Sequence, residues 1–185
     1  VNKQTFGDAG GLDSLEDVSR YNRVLGLDYN LASSDNVWVG KAFYHRSFGP
    51  GEANRQFAHG ANLRYLIREV QVEWQHEWVG ENYNAEVGFV PRQGFFRINP
   101  EVRTFFYPQK GPFNQHGPGV ELDVLWTPEF GRSDQRIELY WDADYRNTAS
   151  LRVTLQQDYT FLLDSFDPTR SGALELPAET GFTYT

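Results

Sequence analysis

The chain has 185 residues and a formal net charge of −8 at neutral pH, with a sequence pI of about 5.0. This acidity excludes nucleic acid as the main partner, because phosphate binding requires basic patches. The absence of cysteine excludes disulfides and thiolate metal sites. No apolar stretch approaches the roughly 20 residues that a membrane helix needs. Since there is no methionine, even at position 1, we expect a processed chain or a fragment.

Apolar and polar residues alternate along most of the chain with the period of two that is typical of β-strands. The clearest case is the segment 69–79, where Val72, Trp74 and Trp78 share one face and Glu73 and Glu77 the other. In chain order, the predicted strands cover residues 21–31, 37–46, 57–67, 69–79, 95–107, 120–127, 136–145 and 150–161, with a ninth beginning at 181–185. Residues 1–19 are predicted to form a loop, and no segment has a convincing helical period.

The length of the strands decides the fold class. Most predicted strands have about ten residues, enough for a tilted strand to cross a bilayer, whereas strands of soluble proteins usually have about five or six. Short connections alternate with longer ones, as in outer-membrane barrels, and the long connection 108–118 is an exception on the short side. The sequence therefore predicts an all-β, antiparallel up-and-down transmembrane β-barrel: a single segment over 1–185, with about 8–9 strands of a larger barrel. Because an unclosed piece would expose its edges, we expect aggregation in water without detergent.

Because the two faces of these strands carry different side chains, we expect each face to contact a different environment. The outward face would contact outer-membrane lipid, with amphipathic aromatic rings near the interfaces. The predicted lipid-facing aromatic residues are Trp74, Trp78, Trp126 and Trp141. The inward face would be polar, because so many charges facing a dry core would be prohibitive. The predicted lumen-facing charges are Glu69, Glu73, Glu77, Arg97, Glu101, Arg103, Asp123 and Asp142. Since the acidic strand 69–79 precedes the basic strand 95–107, ion pairs between these two strands are expected.

One stretch resembles a known family. Residues 80–96, GENYNAEVGFVPRQGFF, are similar to a motif in the C-terminal barrel region, a domain of unknown function, of Bacteroidota-type outer-membrane proteins. The matching residues are Asn82, Asn84, Glu86, Gly88, Phe89, Val90, Pro91, Arg92 and Gly94. Weaker matches are Asn22-Arg23-Val24 with Gly26 and Asp28, Phe166-Asp167-Pro168, and Leu176-Pro177. Together they extend over most of residues 20–185.

The resemblance implies an outer-membrane location and a link to glycan handling, with oligosaccharide as a partner. In that family an N-terminal module similar to carbohydrate-binding family 9 precedes the barrel. That module is missing from this chain, so its sugar-binding role is not carried over. The resemblance also brings no catalytic residue.

The segment Gly88, Phe89, Val90, Pro91 and Arg92 is the leading candidate for a functional motif. In a long loop, it could fold into the lumen as a gate or constriction. The competing interpretation, which base rates favour, is a structural turn, in which glycine and proline fix the backbone and Arg92 pairs with a wall carboxylate.

Three functions remain open: a channel, transporter or surface scaffold; a soluble all-β module that binds carbohydrate on an aromatic face; and a glycoside hydrolase associated with the barrel. The sequence shows no convergent set of acid, base and nucleophile, so no catalytic residue is assigned. No cofactor is predicted. The four histidines lack metal-ligand spacing, so no metal site is predicted either.

Overall fold

The computed structural model describes residues 2–4, 21–49, 53–85, 92–162, 164–167, 169–172 and 175–185. These residues form eleven β-strands. No helix long and apolar enough to span a membrane occurs among them. The strands are β1 (Asn2–Gln4), β2 (Tyr21–Ala32), β3 (Trp38–Phe48), β4 (Phe57–Leu66), β5 (Val70–Val79), β6 (Phe95–Ile98), β7 (Glu101–Thr104), β8 (Phe113–Thr127), β9 (Gly131–Tyr145), β10 (Ser150–Leu162) and β11 (Thr180–Tyr184).

All eleven strands belong to one antiparallel sheet in which spatial order follows chain order. β6 and β7 are two halves of one strand, because both lie between β5 and β8 in the same register. Pro100 interrupts the strand, since proline has no N–H to donate to a ladder. The pairing nevertheless continues through Asn99, whose N–H donates to the carbonyl of Gln75 at 2.8 Å. In the described part of the chain, no ladder joins the outer strands β1 and β11.

The antiparallel all-β architecture and the ninth strand near the C-terminal end are confirmed, but several predicted boundaries are wrong. Asn2–Gln4 pairs with β2, whereas the sequence predicted a loop. β8 begins at Phe113 rather than at 120, so the exceptional connection shrinks to residues 105–112. β9 begins at Gly131, which leaves only residues 128–130 as a turn. A register shift between Leu125 and Trp126 hides the alternation there.

Connections alternate between the two ends of the sheet. We call "loop end" the end that carries connections 49–56, 80–94, 128–130 and 163–179, and "turn end" the end that carries 33–37, 67–69, 105–112 and 146–149. Three of the four loop-end connections are long and three of the four turn-end connections are short. Connection 128–130 is the short exception at the loop end, and connection 105–112 is the long exception at the turn end.

The ladder register divides the side chains between two faces, because directly paired residues point to the same side. The row Leu27, Tyr44, His59, Trp78, Phe96 and Trp126 belongs to what we call the apolar face. The row Gly60, Glu77, Arg97, Leu125 and Asp134 belongs to the polar face. Each face runs across the whole described sheet.

Exposure on the two faces is the reverse of that in a water-soluble domain. On the apolar face, Leu27 is 79% exposed and Leu155 is 71% exposed. On the polar face, by contrast, Asp158 is only 7% exposed. The small buried apolar cluster of Ala58, Val79, Tyr83 and Phe95 packs on the polar face, at the loop end. The described residues therefore leave a large apolar patch uncovered, which monomeric soluble proteins rarely do.

Aromatic rings form two bands on the apolar face. At the loop end, rings of five strands follow one another with centroid distances of 6.4, 5.3, 5.8 and 5.6 Å: Tyr44, Phe57, Trp78, Phe96 and Trp126. Nearer the turn end, Trp38 packs on Tyr65, and His116 packs on Trp141. Phe57 and Tyr65 are eight residues apart on β4, which corresponds to about 26 Å of strand.

Candidate functional site: the polar face of the sheet

Ion pairs on the polar face join β6 to β8 and β9 to β10. Arg97 donates to both carboxylate oxygens of Asp123, at 2.7 and 2.6 Å. Arg136 donates to Asp158 at 2.9 Å across the β9–β10 ladder. Because arginine presents a rigid fork of donors, such pairs fix both side chains in place. These pairs neutralise only part of the charge on this face, where Asp and Glu outnumber Lys and Arg among the described residues.

A second group of pairs converges on Asp142. Arg152, its direct partner on β10, donates to both of its oxygens at 2.5 and 2.7 Å. Arg103 of β7 reaches the same carboxylate at 2.8 Å. Next to this group the hydroxyl of Tyr140 donates to the carboxylate of Glu101. These contacts bind β7, β9 and β10 together on one face.

Two glycines of β8 make that convergence possible. Gly119 lies opposite Arg103 on one side and Tyr140 on the other, and Gly117 lies opposite Asp142. A methyl group at Gly119 would lie 2.1 Å from Cζ of Tyr140. The missing side chains leave a gap through which residues of β7 and β9 contact each other above β8.

A depression of about 210 Å³ lies on the polar face towards the loop end. It lies between β6, β8, β9 and β10, and both ion pairs of the first group contribute to its wall. The lining residues are Arg97, Asp123, Leu125, Asp134, Gln135, Arg136, Asp158, Tyr159 and Thr160. Its donors and acceptors suit hydroxyl-rich or zwitterionic solutes better than apolar ones.

Residues 80–85, which follow β5, fold back over the polar face at the loop end. The side chain of Tyr83 is buried against Ala58, Val79 and Phe95, and this burial raises the pKa of the Tyr83 hydroxyl. The amide of Asn84 donates to the hydroxyl of Ser47 at 3.1 Å.

Three further side-chain contacts hold residues 80–85 in place. Asn22 of β2 donates to the carbonyl of Asn84 at 2.9 Å, and Arg55 pairs with Glu81 at 2.5 Å. Gln93 donates to the carbonyl of Tyr83 at 2.5 Å. The segment thus reaches from β5 back to β2 and narrows the space above the polar face.

The residues predicted from sequence fall mostly, but not entirely, where expected. Seven of the predicted lumen charges lie on the polar face: Glu73, Glu77, Arg97, Glu101, Arg103, Asp123 and Asp142. Glu69 lies in the exposed turn before β5, where its carbonyl accepts a hydrogen bond from the N–H of Phe105 at 2.8 Å, so its lumen-facing role stays a prediction. Trp74, Trp78, Trp126 and Trp141 lie on the apolar face. Of the motif Gly88–Arg92, only Arg92 is among the described residues; Gly88, Phe89, Val90 and Pro91 lie outside them.

The expected ion pairs between the acidic and basic strands need correction. Arg97 faces Glu77 across the β5–β6 ladder, yet its bidentate partner is Asp123 of β8. Arg103 likewise pairs with β9 rather than with β5.

Sequence reasoning missed Tyr83, Arg136, Tyr140 and Asp158. The closely spaced Gly117 and Gly119, inside an otherwise β-rich stretch, were the available signal for the gap. Across the described ranges, no three His, Asp or Glu side chains converge as metal ligands would.

The chain matches no protein-family model, no curated protein and no solved structure in the comparisons made. The family resemblance of residues 80–96 therefore stays a prediction.

Proposed function

We propose that this chain is part of an outer-membrane β-barrel that acts as a channel, transporter or surface scaffold. The observation that carries the proposal is the reversed exposure of the two faces. Leu27 and Leu155 are far more exposed than the charged Asp142 and Asp158. An exposed apolar face is stable in contact with lipid. A charged face is stable in contact with the water that fills a barrel lumen.

The dimensions of the apolar face support a bilayer. The two aromatic bands are separated by about 26 Å along β4, which for a strand tilted by about 35–45° spans about 20 Å of membrane, comparable with the apolar height of about 25 Å in outer-membrane barrels. Trp and Tyr prefer the membrane interface, where the ring contacts acyl chains and the polar atom contacts water. The strands from β8 to β10 have 13 to 15 residues, which is ample for a tilted crossing.

The polar face supports an aqueous lumen narrowed at one end. Among the described residues of β2–β10, this face carries eleven Asp and Glu against six Lys and Arg, so acidic charge remains in excess along the path beside the ion pairs. The segment 80–85 lies over this face and forms a constriction near the loop end. An oligosaccharide is the solute that the sequence resemblance implies, and the polar depression beside Arg97 offers donors and acceptors for hydroxyl groups.

A soluble carbohydrate-binding sandwich is a weaker alternative. In a sandwich, two sheets bury their apolar faces against each other. The described strands form one sheet, and residues such as Val153 and Leu139 are half exposed on its apolar face. The aromatic bands also run across neighbouring strands near the strand ends, whereas a sugar-binding platform would be one local cluster of rings.

The proposal is tested by membrane fractionation of the protein in a Gram-negative host, followed by gel mobility with and without boiling. We expect recovery in the outer membrane and a heat-dependent shift in mobility. Swelling of liposomes that contain the protein, measured with sugars of increasing size, then separates a channel from a scaffold. A soluble protein without a mobility shift would exclude the barrel.

A further inference from the structure

A second depression, of about 570 Å³, lies on the polar face towards the turn end. Its volume falls within the range of about 300–1,000 Å³ that is usual for small-molecule sites. It extends across β2, β3, β4 and β5, and its polar side chains are Asn30, Lys41, Asn62, Arg64 and Glu73. All of these except Glu73 are exposed, so a solute in the lumen can reach them.

Two cations of this depression differ from the other cations of the polar face. Neither Lys41 nor Arg64 forms an ion pair or a side-chain hydrogen bond with any described residue. On the neighbouring strand β2, Asp28 lies 3.7 Å from His45 and does not pair with Lys41. The other four cations of β2–β10 on this face each contact an aspartate: Arg97, Arg103, Arg136 and Arg152.

Arg64 has no partner although a glutamate lies directly opposite it. The ladder pairs Arg64 with Glu73, yet no ion pair joins these two side chains. Instead, the amide of Gln71, two residues nearer the turn end of β5, donates to the Glu73 carboxylate at 2.9 Å. The guanidinium of Arg64 therefore keeps its donors, and this planar fork can bind a carboxylate through two parallel hydrogen bonds.

The charge around the depression changes sign along the sheet. Four glutamates pair directly with one another in one row from β5 to β9: Glu73, Glu101, Glu121 and Glu138. Arg64 is the next member of this row on β4, and Lys41 of β3 is its diagonal neighbour, with Cβ atoms about 7–8 Å apart. An anionic group on this wall is therefore repelled by the glutamate row and attracted to Arg64 and Lys41. Because acidic charge is in excess on the face as a whole, a solute with one negative charge is favoured over a polyanion.

We propose that Lys41 and Arg64 bind the carboxylate of a singly charged sugar acid, while Asn30 and Asn62 bind its hydroxyl groups. This inference rests on the proposed function and names the class of solute that the lumen takes. Asn30 and Asn62 lie on either side of Lys41 in one ladder row. Each carboxamide offers a donor and an acceptor, as a hydroxyl group requires. A small apolar acid would leave both amides unused.

The experiment uses the 185-residue chain refolded in detergent micelles. It is titrated with lactobionate, which is a singly charged disaccharide acid, with lactose as the uncharged counterpart, and with inorganic phosphate. Proton–nitrogen NMR follows the side-chain amides of Asn30 and Asn62 and the Nε–H of Arg64. In parallel, quenching of tryptophan fluorescence by brominated phosphatidylcholine in liposomes reports insertion, whichever solute is bound.

Four variants test the roles of the two cations. We expect lactobionate to bind the wild-type chain about tenfold more tightly than lactose, and Arg64→Gln to weaken its binding about tenfold. Lys41→Gln should weaken it about threefold, because an exposed point charge contributes less. Arg64→Lys should fall between wild type and Arg64→Gln, since it keeps the charge but loses the fork. Arg46→Gln makes the same change of charge on the apolar face of β3 and should leave the affinity unchanged.

Equal affinity for lactobionate and lactose, or an equal loss in Arg46→Gln, would overturn the site while tryptophan quenching persists. Phosphate binding as tight as that of lactobionate would overturn the assignment to a sugar acid, because the amides would then add nothing. Absence of quenching would instead overturn the proposed membrane function, and with it the place of this site in a lumen.

Discussion

Arg103 of β7 and Asp142 of β9 form a 2.8 Å ion pair although β8 lies between their strands. The contact passes over Gly117 and Gly119, whose missing side chains leave the space. Asp142 simultaneously accepts two hydrogen bonds from Arg152, so one carboxylate joins three strands. The polar face is therefore held together by side chains as well as by backbone ladders.

Filling the glycine gap should destabilise the sheet. In Gly119→Ala the new methyl group displaces the ring of Tyr140 and its bond to Glu101, which should lower the free energy of unfolding by about 1–3 kcal/mol. Gly117→Ala should cost more, because its methyl group would lie 1.9 Å from the backbone oxygen of Thr104. Urea unfolding in detergent measures both. Gly49→Ala is the control, since the nearest contact of its methyl group would be an ordinary 3.5 Å. An equal loss of unfolding free energy in all three variants would contradict a special role for the gap over β8.

Removing the shared carboxylate should leave two arginines without their charge partner. Asp142 is 14% exposed and Arg152 is 54% exposed, so we expect Asp142→Asn to cost about 2 kcal/mol, less than the loss of a fully buried pair. Asp28→Asn is the control, because Asp28 is 73% exposed and 3.7 Å from His45; its cost should be below about 0.5 kcal/mol. Similar unfolding energies for the two variants would show that the network contributes little.

Removing the anchor of the folded-back segment should widen the lumen. Tyr83→Ala deletes the buried ring that holds residues 80–85 against Ala58, Val79 and Phe95. Liposomes containing this variant should swell faster than wild type, and the size limit for sugars should rise. Tyr107→Ala, which removes an aromatic ring at the turn end, should leave the rate unchanged. Unchanged swelling in Tyr83→Ala would exclude the segment as a constriction.

The turn between β2 and β3 should respond to acid. The hydroxyl of Ser33, and then the N–H of Val37, donate to Asp35 and lower the pKa of its carboxyl from the ordinary 3.8. The pKa of the Asp35 carboxyl is lower in the folded turn than in the unfolded chain. The ionised carboxylate therefore stabilises the turn fully above pH 3.8, and this stabilisation is lost as the pH falls through the folded pKa. The amide resonance of Val37 should therefore titrate with a midpoint below 3.8. A midpoint at or above 3.8, or a titration unchanged in Asp35→Asn, would contradict these bonds.

The strands could be predicted from sequence wherever alternation is unbroken. β2, β4 and β5 agree with their predictions to within about one residue, because each face of these strands has a uniform character. Prediction failed at 113–119, where Gly117, Pro118 and Gly119 resemble a loop although the sheet continues through them. It failed again at 131–135, where the register shift beside Trp126 breaks the period of two.

The partners of the polar residues were less predictable than their face. Alternation placed Arg97 and Arg103 on the polar face, but it carries no information on which neighbouring strand supplies the carboxylate. The choice depends on the gap over Gly119 and on diagonal distances, which exist only once the register is fixed. The burial of Tyr83 also follows from a loop path that has no local sequence pattern.

The central claim, that the apolar face contacts lipid and the polar face contacts water, is tested most directly by spin labels along β10. The chain has no cysteine, so single substitutions Val153→Cys, Thr154→Cys, Leu155→Cys and Gln156→Cys can each carry one label in reconstituted liposomes. We predict that lipid-soluble oxygen relaxes the spin labels at 153 and 155. A water-soluble nickel chelate should instead relax the labels at 154 and 156. Access of the nickel chelate to all four positions would contradict a membrane barrel.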